Sequence, residues 1–250
     1  MNRRNLFFTA IAICAIGSMG FFSACKKSNV DNNNNVQAAG LMAFNLAPDK
    51  AVAFTIGGNV LAGAPLAFNS FTGTYLPIYP GTRTVESFDY ANSTSLATAT
   101  DSFAVDKYYS VFVVGANGAY HNVIVNDNFD ALSGTSGKAY VRYINAINGS
   151  SNASVTITGS DANNSSIAFG NVSDFVAVTP GSTAITVTDG ASVNVNRTIT
   201  TEARKVYTVL LTSGATSSDS AQIKFITNGT LDGTVSGQKV SSAAHTSAIQ

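Results

Sequence analysis

Hydrolytic or zinc chemistry in this chain would have to use His121 or His245, the only two histidines present. Neither belongs to a His-x-x-Glu-His pattern, and no Gly-x-Ser-x-Gly serine accompanies them. His121 lies between Tyr120 and Asn122, where an exposed strand histidine is the ordinary reading, and a hydrolase would need it to work with an acid such as Asp127. His245 falls in a Ser/Ala-rich tail. Asp127-Asn128-Phe129-Asp130 sets oxygen ligands close together, as calcium sites do. A turn of that composition is far commoner. The remaining chemistry is aromatic stacking on a ring-shaped ligand, which tryptophan does best and which must proceed here without it. Phe71, Tyr75, Tyr79, Phe88 and Tyr90 cluster in the first half of the chain. Tyr75 and Tyr79 would form a modest platform if they project from one strand face, although core packing around Pro80-Gly81 competes with that use. They are the candidate ligand-binding residues; no catalytic residue, metal ligand or cofactor is expected.

One cysteine has chemistry written around it. Arg3 and Arg4 precede an apolar run from Leu6 to Phe22, and Phe22-Ser23-Ala24-Cys25 closes it just before Lys26-Lys27. A basic start, an apolar middle and small residues before a cut are the parts of a secretory signal. The run could also span a bilayer, which takes about 20 apolar residues, but Gly17, Ser18 and Gly20 interrupt it. The closing segment resembles the lipobox of bacterial lipoproteins, with Phe22 where leucine is usual. Ile13 is too large to precede a cut at Cys14. The resemblance implies cleavage after Ala24 and a diacylglycerol thioether plus an amide-linked acyl chain on Cys25. Stable anchoring takes more than one acyl chain, so the expected location is the outer membrane, reached by lipid and not by a span.

Cleavage would remove Arg3 and Arg4 and no acids, leaving the basic groups two short of the 14 acidic ones. Nothing in that balance suggests a nucleic-acid partner. With Cys14 removed and Cys25 acylated, no disulfide is available, and the core alone must hold the fold.

Residues 1–24 are therefore read as signal and 25–39 as a lipidated cysteine with a disordered tether, given Asn32 to Asn35 and little apolar content. Lys26-Lys27-Ser28 stands where surface-exposed Bacteroidota lipoproteins often carry acids, so the side of the membrane is left open. Beyond the tether the chain repeats itself. Ala67-Phe68 aligns with Ala168-Phe169, Tyr79-Pro80-Gly81-Thr82 with Thr179-Pro180-Gly181-Ser182, and Lys107-Tyr108-Tyr109-Ser110-Val111 with Lys205-Val206-Tyr207-Thr208-Val209. The repeats are placed at 40–137 and 138–235, with a tail at 236–250. Val155 and Ile157 alternate with Thr156 and Thr158, and Val193, Val195 and Ile199 with Asn194, Asn196, Thr198 and Thr200, the period of a half-buried strand. Arg197 breaks the second series: either its stem follows the core edge or the strand ends there. Tyr109 to Val114 and Tyr207 to Leu211 are continuously apolar, as expected of strands covered on both faces. The expected fold is all-β, two tandem immunoglobulin-like antiparallel β-sandwich domains, each able to fold when the chain is cut at Gly137.

Each half resembles the domain of unknown function 4397, a β-sandwich module of bacterial lipoproteins and cell-surface proteins. The first copy carries Asn45-Leu46-Ala47-Pro48-Asp49, the Pro80-Gly81-Thr82 turn and the strand from Lys107 to Gly115; the second carries Asn145-Ala146-Ile147-Asn148, Pro180-Gly181-Ser182 and Lys205 to Leu211, without the Pro-Asp. The resemblance brings fold and location but no activity. The function expected is that of a non-enzymatic membrane-anchored envelope lipoprotein, a binding, adhesion or accessory module. Its partners would be the membrane through Cys25 and a glycan or envelope protein; the alternatives are glycan capture beside a polysaccharide-uptake system and a purely structural spacer. Asp219-Ser220-Ala221 resembles a short O-glycosylation acceptor, and Asn-x-Ser/Thr sequons at Asn148 and Asn228 arise easily in so Asn-rich a chain.

Overall fold

Alternation of apolar and polar residues becomes strand after strand. The computed structural model describes residues 37–160, 165–190, 193–215, 220–232 and 240–241. Cys25 and its signal, His245 and Asp219 lie outside the described residues. Repeat 1 comprises β1 (Ala39–Asn45), β2 (Val52–Ile56), β3 (Asn59–Val60), β4 (Ser70–Phe71), β5 (Leu76–Ile78), β6 (Gly81–Asp89), β7 (Thr94–Phe103), β8 (Tyr108–Ala116) and β9 (Ala119–Asn126). Repeat 2 comprises β10 (Ala139–Ala146), β11 (Asn152–Ile157), β12 (Ser165–Ala168), β13 (Val176–Val178), β14 (Gly181–Asp189), β15 (Val193–Thr201), β16 (Lys205–Thr212), β17 (Gln222–Leu231) and β18 (Val240–Ser241).

Each repeat is a sandwich of two sheets. In repeat 1 the order β3-β2-β6-β7 faces β4-β1-β8-β9, with β5 also on β1; in repeat 2 the order β12-β11-β14-β15 faces β13-β10-β16-β17-β18. The sheets are not antiparallel throughout, as the sequence had suggested. β1 runs parallel to β8, and β10 parallel to β16, because the first strand of each repeat enters beside a late one.

Shared sequence anchors turn out to be structural devices. Asn45 is fully buried, donating Nδ2 to Lys50 O at 2.7 Å and Leu66 O at 2.9 Å while Oδ1 accepts from Ala47 N. Asn145 does the same in repeat 2, reaching Ser150 Oγ and Ile167 O, each at 3.0 Å. A buried asparagine so satisfied ties three loop segments together. Tyr109 and Tyr207 accept from the backbone N–H of Ala104 and Glu202, at 2.9 and 3.0 Å, which makes both Lys-x-Tyr motifs tyrosine corners. Gly81 and Gly181 enter their strands at φ 98° and 127°, a region other residues reach only with strain. Arg197 follows the core edge: its guanidinium lies 5.2 Å from the Phe225 ring centroid and donates to Ile223 O at 2.9 Å, so β15 continues through it.

The continuous burial of β1, β8, β10 and β16 has two sources. Leu41, Ala43, Tyr109, Val111 and Val113 face the core of their own sandwich. The intervening Met42, Phe44, Phe112 and Val114 pack on Ile144, Ala146 and Leu210 of repeat 2. The inner sheets of the two sandwiches thus bury their outer faces against each other, and the described residues of the two repeats form one compact unit. The expectation that each repeat folds when the chain is cut at Gly137 therefore turns on this shared face, since alternate side chains of the inner sheets have their cover in the other repeat.

Candidate functional site

The two tyrosines singled out in the sequence do different things. Tyr75 leads into β5 and turns toward repeat 2, its ring edge-on to Tyr108 at 5.0 Å and to Phe129 at 5.9 Å. Its hydroxyl donates to Asp127 Oδ2 and accepts from Asn228 Nδ2 at 3.0 Å. Burial first, then the adjacent Asp127 carboxylate, push that hydroxyl well above the ordinary tyrosine range. Tyr79 follows β5 and is 69% exposed. The pair does not form one stacking platform, because inter-repeat packing claims the ring of Tyr75.

Around Tyr75 lies a closed polar cluster. Arg142 Nη1 donates to Asp127 Oδ1 at 2.6 Å, its Nη2 to Ser110 Oγ at 2.8 Å and its Nε to Thr208 Oγ1 at 3.0 Å. Ser110 Oγ donates to Asp127 Oδ2 at 2.9 Å, and Thr208 Oγ1 to Asn228 Oδ1 at 2.6 Å. The guanidinium carbon sits 4.6 Å from the Phe175 ring centroid, a cation–π contact strengthened by desolvation. With both oxygens of Asp127 engaged and its side chain 0% exposed, the residue is neither a calcium ligand nor a base for His121. Asp130 pairs with Lys107, and no group of three or more metal-ligating side chains occurs among the described residues. His121 is exposed on β9, opposite Val114 in register. Only an arginine inside the apolar run of β10 points to the cluster from the sequence.

The second arrangement is open to solvent. The β2–β3 hairpin turns at Gly57-Gly58, both at positive φ, and lays Val60 and Leu61 beside Pro77 of β5 and the Tyr79-Pro80 turn. Between them lies a groove of about 140 Å³, smaller than the roughly 300–1,000 Å³ of sites for drug-sized ligands. Val60 and Tyr79, each 69% exposed, form its rim. Arg83 of β6 closes one side, donating Nη2 to Pro80 O at 3.0 Å and Nε to Tyr79 O at 3.4 Å. No Asp or Glu lines the groove. Tyr79 was legible as a candidate, whereas Val60 and Arg83 were missed; the signal available was an apolar residue just after a Gly-Gly-Asn turn, where polar residues are usual.

At the opposite end of β6, Lys50 and Asp89 pair at 2.9 Å. The hydrogen bond from Lys50 is the main reason the Asp89 carboxyl is held below its ordinary range. Asp49 accepts from Asn117 N at 3.2 Å and from the Tyr120 hydroxyl, so the Pro-Asp of repeat 1 clasps the β8–β9 hairpin.

Fold and site together describe a tandem β-sandwich with a solvent-open groove in its first repeat and a sealed polar contact between the two. The chain belongs to the family described as Domain of unknown function (DUF4397), whose profile matches it twice, over residues 39–146 and 139–248. No curated protein matches it by sequence. Among solved structures it is similar to a carbohydrate-binding module of family CBM26 from Eubacterium rectale in complex with maltoheptaose, at 10% identity, 75% coverage of this chain, 96% of that chain and a TM-score of 0.25. It is also similar to a candidate cell adhesion protein from Bacteroides ovatus, at 10% identity, 76% and 96% coverage and a TM-score of 0.23. A second candidate cell adhesion protein, from Bacteroides fragilis, matches at 9% identity, 71% and 83% coverage and a TM-score of 0.22. Superpositions this loose place no ligand on this chain.

Proposed function

We propose that this protein is a non-enzymatic binding module of the bacterial cell envelope, held to the outer membrane by lipid on Cys25 and presenting the groove of repeat 1 to its ligand. The observation that carries this reading is the coincidence of exposed apolar side chains: of the three large hydrophobic residues most exposed to solvent among the described residues, two, Val60 and Tyr79, rim one concavity. Single exposed apolar residues are ordinary, but grouped ones around a groove mark interaction sites. The lipobox-like segment supports the anchor. The size of the groove and the open ring of Tyr79 favour a glycan over a protein partner. A spacer role draws instead on the sealed contact between repeats, which joins them in one compact unit.

The test is attachment of intact cells to immobilised glycans and envelope extracts, with a tag after Gln250 and external protease reporting which side of the membrane the protein faces. A Val60→Ser, Tyr79→Ala variant should lose attachment while keeping its thermal midpoint. Attachment unchanged in that variant would remove the groove from the reading, and no attachment by any cell would leave the spacer.

A further inference from the structure

Resting on the binding reading above, we propose that the groove of repeat 1 takes a carboxylate-bearing sugar, a hexuronic acid unit of a glycan, with its ring against Tyr79 and its carboxylate on Arg83. Arg83 occupies an inward-facing position of β6, two residues before the buried Val85, at the open end of the sandwich. Its stem runs beside Gly57, where an added Cβ would sit 3.5 Å from Arg83 Cδ. The carbonyls of Tyr79 and Pro80 take Nε and Nη2, which fixes the guanidinium plane at the groove. Nη1 donates to no described residue, and the ion pairs among the described residues involve Lys50, Lys107, Arg142 and Lys205 but not Arg83. Asp101, opposite Arg83 on β7, turns its Oδ1 to Ser102 N at 2.7 Å.

A preoriented arginine with spare donors, in a groove without acids, is complementary to a carboxylate. The rest of the rim is apolar or aromatic, so a bare inorganic anion would leave Val60 and Tyr79 unused. An acyl chain would need a deeper apolar enclosure than about 140 Å³ open to solvent provides. A uronic acid ring satisfies both demands, since its C–H face stacks on an aromatic ring while its carboxylate lies at the edge. Repeat 2 lacks these groups: Thr179 stands for Tyr79, and Thr183, buried and bonded to Thr201 Oγ1 at 3.2 Å, stands for Arg83. One site per chain follows.

The experiment is titration of the full chain, in detergent, with trigalacturonate and with its methyl ester, in which each carboxylate charge is replaced by a neutral methyl ester. Trigalacturonate is expected to bind one per chain and up to about fivefold tighter than the ester, the upper end for an exposed ion pair, with the preference fading as salt is raised. Arg83→Gln should erase the preference, Tyr79→Ala should weaken both ligands, and Val60→Glu, at an exposed position that leaves the core alone, should weaken trigalacturonate more than the ester. Equal binding of the two ligands, or a preference that survives Arg83→Gln, overturns the acid assignment and leaves the binding module standing. Absence of binding by either overturns the assignment too, and the whole-cell attachment assay then decides separately whether the module binds at all.

Discussion

Arg142 of repeat 2 reaches Asp127 of repeat 1 over 2.6 Å in the interior, yet the positions equivalent to both are uncharged. Met42 lies beside Ser110 as Arg142 lies beside Thr208. Asp127 and Asn228 each follow the residue paired with the corner tyrosine of their own repeat. The two halves of the interface are thus one design used twice, with a cation placed in one half and an anion in the other.

That relationship sets up a double-mutant cycle. Arg142→Met leaves Asp127 buried and unpaired and should cost about 3–5 kcal/mol. Adding Asp127→Asn restores the uncharged pattern of the opposite half and should recover most of the loss, because desolvation of both charges is relieved together. Urea unfolding of the four proteins gives the coupling. Additive losses would mean that the pair is not one unit.

Cutting the chain after Gly137 should leave a fragment that binds hydrophobic dye and self-associates. The cut uncovers Met42, Phe44, Leu46, Phe112 and Val114, and each buried side chain of this kind is worth about 1.5–3 kcal/mol. Sedimentation and dye fluorescence check this. A monomeric fragment with a sharp unfolding transition would show that repeat 1 does not need its neighbour's cover.

Alkaline titration should report on Tyr75. Its folded hydroxyl ionises well above the ordinary tyrosine range, so its contribution to stability is complete below the unfolded value of about 10 and is lost as pH rises through the raised folded value. Tyrosinate absorbance should show a late-ionising group that disappears in Tyr75→Phe. Burial also raises Tyr207 and Tyr120, which should remain in that variant as a smaller delayed component.

Acid acts through a different pair. Asp89 is depressed chiefly by its hydrogen bond from Lys50, so the stability it contributes is present above the unfolded carboxyl value of about 3.9 and is lost as pH falls through the lower folded value. Asp89→Asn should flatten that part of the stability profile in thermal melts below pH about 4. An unchanged acid limb would assign acid sensitivity elsewhere.

At the anchor, Cys25→Ala should abolish incorporation of labelled palmitate and release the protein from the membrane fraction. Continued membrane pelleting without label would instead indicate a spanning segment at Leu6 to Phe22.

Sequence patterns revealed whatever depends on neighbours along one strand. The alternation of β11 and β15 is read directly from Val155, Ile157, Val193 and Ile199, and the unbroken apolar runs in β8 and β16 mark double coverage. What covers their second faces could not be read, because it depends on how two whole sandwiches meet. Arg142 and Asp127 were illegible for the same reason: each has its partner in the other repeat. The groove was half legible, since an aromatic residue beside a Pro-Gly turn draws attention, whereas Arg83 looks like any strand-end arginine until Gly57 is seen to leave room for its stem.

The divided charge also decides which halves can pair. Two first repeats joined through this face would bury a pair of aspartates, and two second repeats a pair of arginines, each without a counter-ion. The two repeats are therefore a matched couple, in which replacing either half by its twin would bury like charges at the seam.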